Sequence, residues 1–467
     1  MTNPPTLLHR SAARPVCRPP SDTAHPWRWR RWSRWGLACL LPLVQVALLA
    51  QISAPSTRPA APQVAQTAPQ PGAPSTRPLQ GQTVRIAFID PLSGPAADVG
   101  RNSLRSWQFM AEHKSGVANA AGVRFVVAAF DNKGSPQESL NALKVAIDQG
   151  FRYIVQGNSS GVAMALSSAI ARHNQRQPER AVLYINYAAM DPDLTNDKCN
   201  FWHFRIDADT AMKMRAMTGF MAAQQGLRRV FLVNQNYAHG QQFSRYFRDN
   251  LAQQRPDIEI VGDELHPPFQ QHDFSLLVQH IQASGAQALV TGNWGADLSN
   301  LVRALHKQGV YLPVYAYYPA LKGVPEALAA TGGRLPVYQV AYNHSNPDGP
   351  IAALSTAFRQ QYGEDMPLFA SYDGLEMLGQ AIAQAGSTEP LPVARQLSGL
   401  VFQGFNGPVQ MRAEDHQLLK GLYVSRWQKV DARYPRSAEA TGYTFAPLQY
   451  FTPADLTLPT RCQMQPP

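Results

Sequence analysis

Five residues, Gly157-Asn158-Ser159-Ser160-Gly161, hold the spacing in this 467-residue chain that most invites a chemical reading. Tyr153 to Gln156 before them suit a buried strand, and Val162, Ala165, Leu166, Ala169 and Ile170 after them recur at helical intervals. The unit is therefore strand, tight turn, helix, and it supports two readings. As G-x-S-x-G, the turn pushes the Ser159 hydroxyl out over a sheet as a nucleophile. As a helix entrance, it points backbone N–H groups and two hydroxyls at a carboxylate or other anion. A serine nucleophile also needs a base and an oxyanion hole. Acid and histidine pairs such as Asp297 and His344 follow in the required order, but only two strands precede the turn and no HGGG-like segment is present. Serine hydrolysis with Ser159 is the weaker reading. No C-x-x-C, H-E-x-x-H or clustered His/Asp spacing offers a metal site, and no cofactor motif is found.

The elements that position this turn alternate along the chain. Strands are expected at 84–90, 124–131, 153–156, 181–187, 229–235, 258–265, 288–294, 312–318 and 337–343, with helices between nearly all of them. Ser135-Pro136-Gln137-Glu138 reads as a capping box with proline at the first helical position, and Leu140, Leu143 and Ile147 form the buried stripe behind it. Glycines 150, 226, 285, 309 and 386 each close a periodic helical segment. Repeated strand, helix, glycine, strand units predict α/β architecture with parallel sheets covered on both faces. About 350 residues of this pattern exceed one ordinary core, so two doubly wound lobes are expected. Ligands of such sheets bind beyond the carboxyl ends of strands. There the sequence puts Ser93, Asn158 to Ser160, Ala188 to Met190, Tyr237 to His239, Trp294 and Tyr318: hydroxyls, small residues and aromatics without a catalytic set.

The ends of the chain carry different information. Residues 1–82 hold nine arginines and one aspartate, which account for +8 of the formal +10 and leave nothing that predicts nucleic-acid binding in the remainder. Arg28, Arg30, Arg31 and Arg34, interleaved with tryptophans, precede the apolar run Leu37 to Ala50. That is the layout of an export signal, shorter than a comfortable membrane span, and residues 1–53 are read as a signal or an uncleaved signal anchor. Residues 54–82 are rich in Pro, Ala, Gln, Ser and Thr and repeat APSTRP, the composition of an extended tether. The folded part is expected from about Thr83. Cys17 and Cys39 fall in the export segment, leaving Cys199 and Cys462 to form one disulfide in an oxidising periplasm.

Six fragments, in order, resemble the type I periplasmic binding proteins of the branched-chain amino acid transport family. They are IAFIDPLSGPAADVGRNSLRSWQFMAE, FDNKGSPQESLNALKVAIDQG, GNSSG, NYAAMDPDLTN, NQNYAHGQQFS and ASYDGLEMLGQAIAQAG. The resemblance covers about 84–430. It implies two lobes joined by a three-strand hinge, the first at 83–207 and 335–403, the second at 208–334 and 404–430, with 431–467 as a C-terminal tail. It implies a monomeric, extracytoplasmic protein that captures a small polar ligand, an amino acid, amide or related carboxylate, and delivers it to the permease and ATPase of an ABC transporter. The alternative is a ligand-sensing subunit of the same fold acting on a membrane receptor. By resemblance, Ser159 and Ser160 hold a ligand carboxylate, Ala188, Ala189 and Met190 add main-chain contacts, and Tyr237, His239, Trp294 and Tyr318 face them from the second lobe. In relatives the loop around Tyr318 often supplies an acid for a ligand ammonium; here nothing from 310 to 324 is Asp or Glu, and Asp297 is the acid left to consider.

Overall fold

The computed structural model describes residues 79–366 and 368–467, so the export segment and nearly all of the tether lie outside it. The chain first builds β1 (Thr83–Asp90), α1 (Ala97–His113), β2 (Arg124–Asp131), α2 (Pro136–Asp148), β3 (Tyr153–Gln156), α3 (Ser160–Arg176), β4 (Leu183–Asn186) and β5 (His203–Arg205). These five strands form one parallel sheet in the order β2-β1-β3-β4-β5. The inner strands β3 and β4 are buried on both faces, as a sheet covered by helices requires, while β2 at the sheet edge is only partly buried. Ser135 caps α2 by accepting from the Glu138 N–H, and Leu143 and Ile147 are buried beneath it.

A second run gives α4 (Thr210–Ala222), β6 (Arg229–Gln235), α5 (Ala238–Gln254), β7 (Glu259–His266), α6 (Ser275–Ser284), β8 (Ala288–Thr291), α7 (Gly295–Lys307), β9 (Val314–Ala316), α8 (Val324–Ala329) and β10 (Val337–Ala341). The chain then returns to the first lobe as α9 (Pro350–Tyr362), α10 (Ala370–Ala385), α11 (Pro390–Leu397) and a small sheet of β11 (Val401–Gly404), β12 (Gly407–Met411) and β13 (Leu418–Leu419). It finishes with β14 (Leu422–Lys429), β15 (Tyr443–Phe451) and α12 (Pro453–Leu456). The second sheet runs β15-β14-β10-β9-β8-β6-β7, parallel except for β14 and β15. Gly285 and Gly386 end α6 and α10 in the left-handed conformation, where a Cβ would be strained.

Two sequence expectations shift. β10 pairs with β9 and therefore belongs to the second sheet, although 335–403 reads as first-lobe sequence. An apolar strand next to a crossover carries no mark of which sheet will accept it. The stretch after Tyr434 is also more than a tail, since β15 pairs with β14 along its length. Pro447 lies opposite Ser425 while Gln449 lies opposite Val424, so Leu448 is an extra residue at a bulge, and proline plus bulge break the alternation that marks a strand. Cys199 and Cys462 are joined in a disulfide with their α-carbons 5.7 Å apart, fastening the end of the chain to the first lobe.

Three segments cross between the lobes, after β5, after β10 and before β14. Arg205, fully buried at the first crossing, ties it to the third: Nε donates to Gln417 Oε1 (2.6 Å), Nη1 to the Asp191 carbonyl (2.6 Å) and Nη2 to Asp209 (3.1 Å) and Thr195. Beside it Lys213 pairs with Asp207 at 2.7 Å, both out of reach of water.

Candidate functional site

The GNSSG turn leaves β3 at the carboxyl edge of the first sheet, and what shapes it lies underneath. Asp90, the last residue of β1, is fully buried and accepts from the Asn158 N–H (3.0 Å), Asn158 Nδ2 (3.0 Å), Gln156 Nε2 (3.4 Å) and the Tyr187 hydroxyl. Burial outweighs these donors and pushes its carboxyl up to about 7. The Tyr187 ring packs so closely that a Cβ on Gly157 would come within 2.7 Å of it, which fixes glycine at that position. Ser159 then takes φ 80° and ψ 115°, a costly geometry for a residue with a side chain. Such strain persists because the surrounding network over-determines the turn. α3 begins at Ser160 with no side-chain cap, so the first N–H groups of a 17-residue helix face out of the turn with the Ser159 and Ser160 hydroxyls.

Opposite lie the carboxyl edges of β6, β8 and β9. Tyr237 and His239 open α5, Trp294 precedes α7, and Tyr318 follows β9. Trp294 Nε1 donates to the Tyr237 hydroxyl (2.9 Å) and its ring meets Phe269 edge-on at 4.7 Å. His239 Nε2 bonds to the Gly292 carbonyl (2.9 Å), and burial lowers its pKa to about 4, so the imidazole is neutral and carries its proton on Nε2. The Tyr318 hydroxyl reaches across to the Ala188 carbonyl at 3.0 Å, a direct bond between the lobes.

The structure brings nine of the ten expected residues, Ser159, Ser160, Ala188, Ala189, Met190, Tyr237, His239, Trp294 and Tyr318, around one narrow cavity of about 20 Å³. That is room for roughly one water molecule, so a ligand enters this cleft only when the lobes part. Ser93 is not among its walls; its hydroxyl donates to Asp131 at 2.5 Å, at the edge of the first sheet. Gly157, Asn158, Leu321 and Leu368 complete the lining. The leucines carried no signal, because a leucine in a loop reads as packing.

None of the lining residues is acidic, and His239, the one histidine among them, is held neutral by burial. Asp297, buried in the first turn of α7, accepts from Gln235 Nε2 (2.6 Å) and the Phe269 N–H (2.8 Å) instead of facing the cavity. No imidazole hydrogen-bonds the Ser159 hydroxyl among the described residues, and His344 lines a separate cavity at the hinge, so the pairing of Ser159 with Asp297 and His344 as a catalytic set is not assembled.

The periplasmic binding protein family profile matches residues 83–432. The chain belongs to this family. It is 28% identical over 405 residues to Leu/Ile/Val-binding protein homolog 4 of Brucella melitensis, an alignment covering 83% of this chain and 94% of the other. Among solved structures it is similar to the closed form of the leucine-, isoleucine-, valine-, threonine- and alanine-binding protein of Brucella ovis, with TM-score 0.70 and 25% identity over 83% of this chain and 100% of that one. A solute-binding protein of Rhodopseudomonas palustris HaA2 in complex with p-hydroxybenzoic acid shares the fold, with TM-score 0.66 and 20% identity over 79% of this chain and 97% of that one. These relatives are binding proteins, not enzymes, and so is this chain. Membership implies a small-molecule ligand, an ABC transporter as partner and a periplasmic location. Among the described residues no helix is long and apolar enough to cross a membrane.

Proposed function

We propose that this protein captures a small carboxylate lacking an ammonium group between its lobes and delivers it to an ABC transporter permease, with residues 1–53 serving export or anchoring and 54–82 as tether. The observation that carries the reading is the one-sided electrostatics of the cleft. An anion meets the α3 N-terminus and the Ser159 and Ser160 hydroxyls, with main-chain groups of Ala188, Ala189 and Met190 alongside. A cation meets no carboxylate, and the Ala188 carbonyl is already taken by Tyr318. Leaving an ammonium desolvated without a partner costs several kcal/mol. Tyr237, Trp294, Tyr318, Leu321 and Leu368 make the rest of the walls aromatic or apolar, suited to an apolar body. The reading leaves Ser93 out.

The matched pair leucine and 4-methylpentanoate, which share a side chain and differ in the ammonium, tests this by calorimetric titration. The acid without ammonium should bind at least about tenfold more tightly, a difference of about 1.4 kcal/mol. Tighter binding of leucine would overturn the assignment.

A further inference from the structure

A second cavity, about 180 Å³, lies outside the cleft where the lobes join. Its walls come from both sides. The first lobe supplies α9 with Ser355 and Arg359; the second supplies the loop between β14 and β15 with Arg436. The loop is held against α9 by Arg359 Nη2 donating to the Ser437 carbonyl (2.6 Å) and Arg436 Nη2 donating to the Ala352 carbonyl (2.9 Å).

The charges here do not balance. Arg359 is paired with Asp365, its Nε 2.5 Å from Oδ1. Arg436 is half-buried and makes no ion pair among the described residues. Burial and the neighbouring Arg359 press its pKa below the ordinary arginine value, against the opposing pull of Asp348 and of Asp365, a wall residue already paired with Arg359. His344, also on the wall, adds no charge near neutrality because burial lowers it to about 4. The Ser355 hydroxyl donates to no acceptor among the described residues, and the Ser345 hydroxyl accepts from the Phe445 N–H at 3.2 Å while keeping its own proton to give.

We infer that this cavity is a second ligand site, taking a small oxyanion on Arg436 with the Ser345 and Ser355 hydroxyls as further donors. A guanidinium with free N–H groups beside hydroxyls suits the geometry of a carboxylate or an inorganic oxyanion. The volume is comparable with cavities that hold a benzene-sized molecule, about 150 Å³. Because Arg436 and Ser355 sit on opposite sides of the lobe junction, an anion bound between them favours the closed arrangement.

The test is calorimetric titration of the full chain with acetate and, separately, inorganic sulfate at constant ionic strength. It is repeated in the Ser159→Ala/Ser160→Ala variant, which weakens the cleft, and in Arg436→Gln and Ser355→Leu. Wild type and the cleft variant should bind at least one of the two anions equally well, and Arg436→Gln should weaken it at least about tenfold. Ser355→Leu fills the cavity without removing a loop contact, so it decides the matter if Arg436→Gln fails to fold. Acetate alone, sulfate alone or both binding this way supports the site and names its anion. Binding of neither anion, binding lost only in the cleft variant, or binding untouched by Ser355→Leu overturns it.

Discussion

Asp90→Ala tests how the turn is held. The side chain is fully buried, and its removal strips the acceptor from the Asn158 N–H and the Tyr187 hydroxyl and one of two acceptors from Asn158 Nδ2, which also donates to Tyr187 at 2.9 Å. At about 1–3 kcal/mol per buried donor left unsatisfied, the two donors give an expected loss of folding stability of about 2–6 kcal/mol at pH 5. The loss depends on pH, with a definite sign. Burial raises the folded-state pKa of Asp90 from 3.8 to about 7, so the folded protein holds this proton more tightly than the unfolded chain. The resulting stabilisation is fully present below the unfolded value and is lost as pH rises through about 7. The gap between wild type and variant should therefore narrow by about 2–3 kcal/mol from pH 5 to pH 8, at about 1.4 kcal/mol per pH unit below 7. Urea unfolding followed by circular dichroism at the two pH values measures both quantities. A loss below about 1 kcal/mol at pH 5, or a gap that widens with pH, would refute the reasoning.

Replacing Ser159 and Ser160 with alanine should weaken ligand binding by about 1–3 kcal/mol per lost hydrogen bond while backbone donors at α3 keep some affinity and the unfolding midpoint stays put; titration and urea unfolding check the two halves. Tyr318→Phe removes the hydroxyl that bonds the Ala188 carbonyl across the cleft, so small-angle scattering of the unliganded protein should show a larger radius of gyration than wild type. Paired Cys199→Ser and Cys462→Ser substitutions should lower the unfolding free energy by about 2–4 kcal/mol and speed proteolysis of the last residues, which otherwise rest on contacts such as the exposed Arg461–Asp197 pair.

Much of this architecture was legible in the sequence, because buried parallel strands are short apolar runs and helices mark their ends with glycine. β2, β3 and β6 coincide with their apolar runs. The strand ends also foretold which loops would meet: residues as distant as Ser159 and Tyr318 line one cavity because both follow strands at carboxyl edges. What stayed hidden depends on partners chosen in three dimensions. β5 is a three-residue strand defined by its neighbour, and β10 could not announce its sheet. Asp90 ends an apolar run like many aspartates, and only the fold puts it under Asn158. Leu321 and Leu368 reach the cleft from loops whose course local sequence does not encode.

The central claim, capture of a carboxylate without an ammonium group, is tested most directly by identifying what the protein carries. Protein purified from the periplasm without refolding is denatured, and the released small molecules are identified and quantified by mass spectrometry, with the intact chain weighed in parallel. The account predicts one dominant carboxylic acid free of amine, released without a covalent trace on Ser159. A stoichiometric α-amino acid, or an adduct on Ser159, would contradict it.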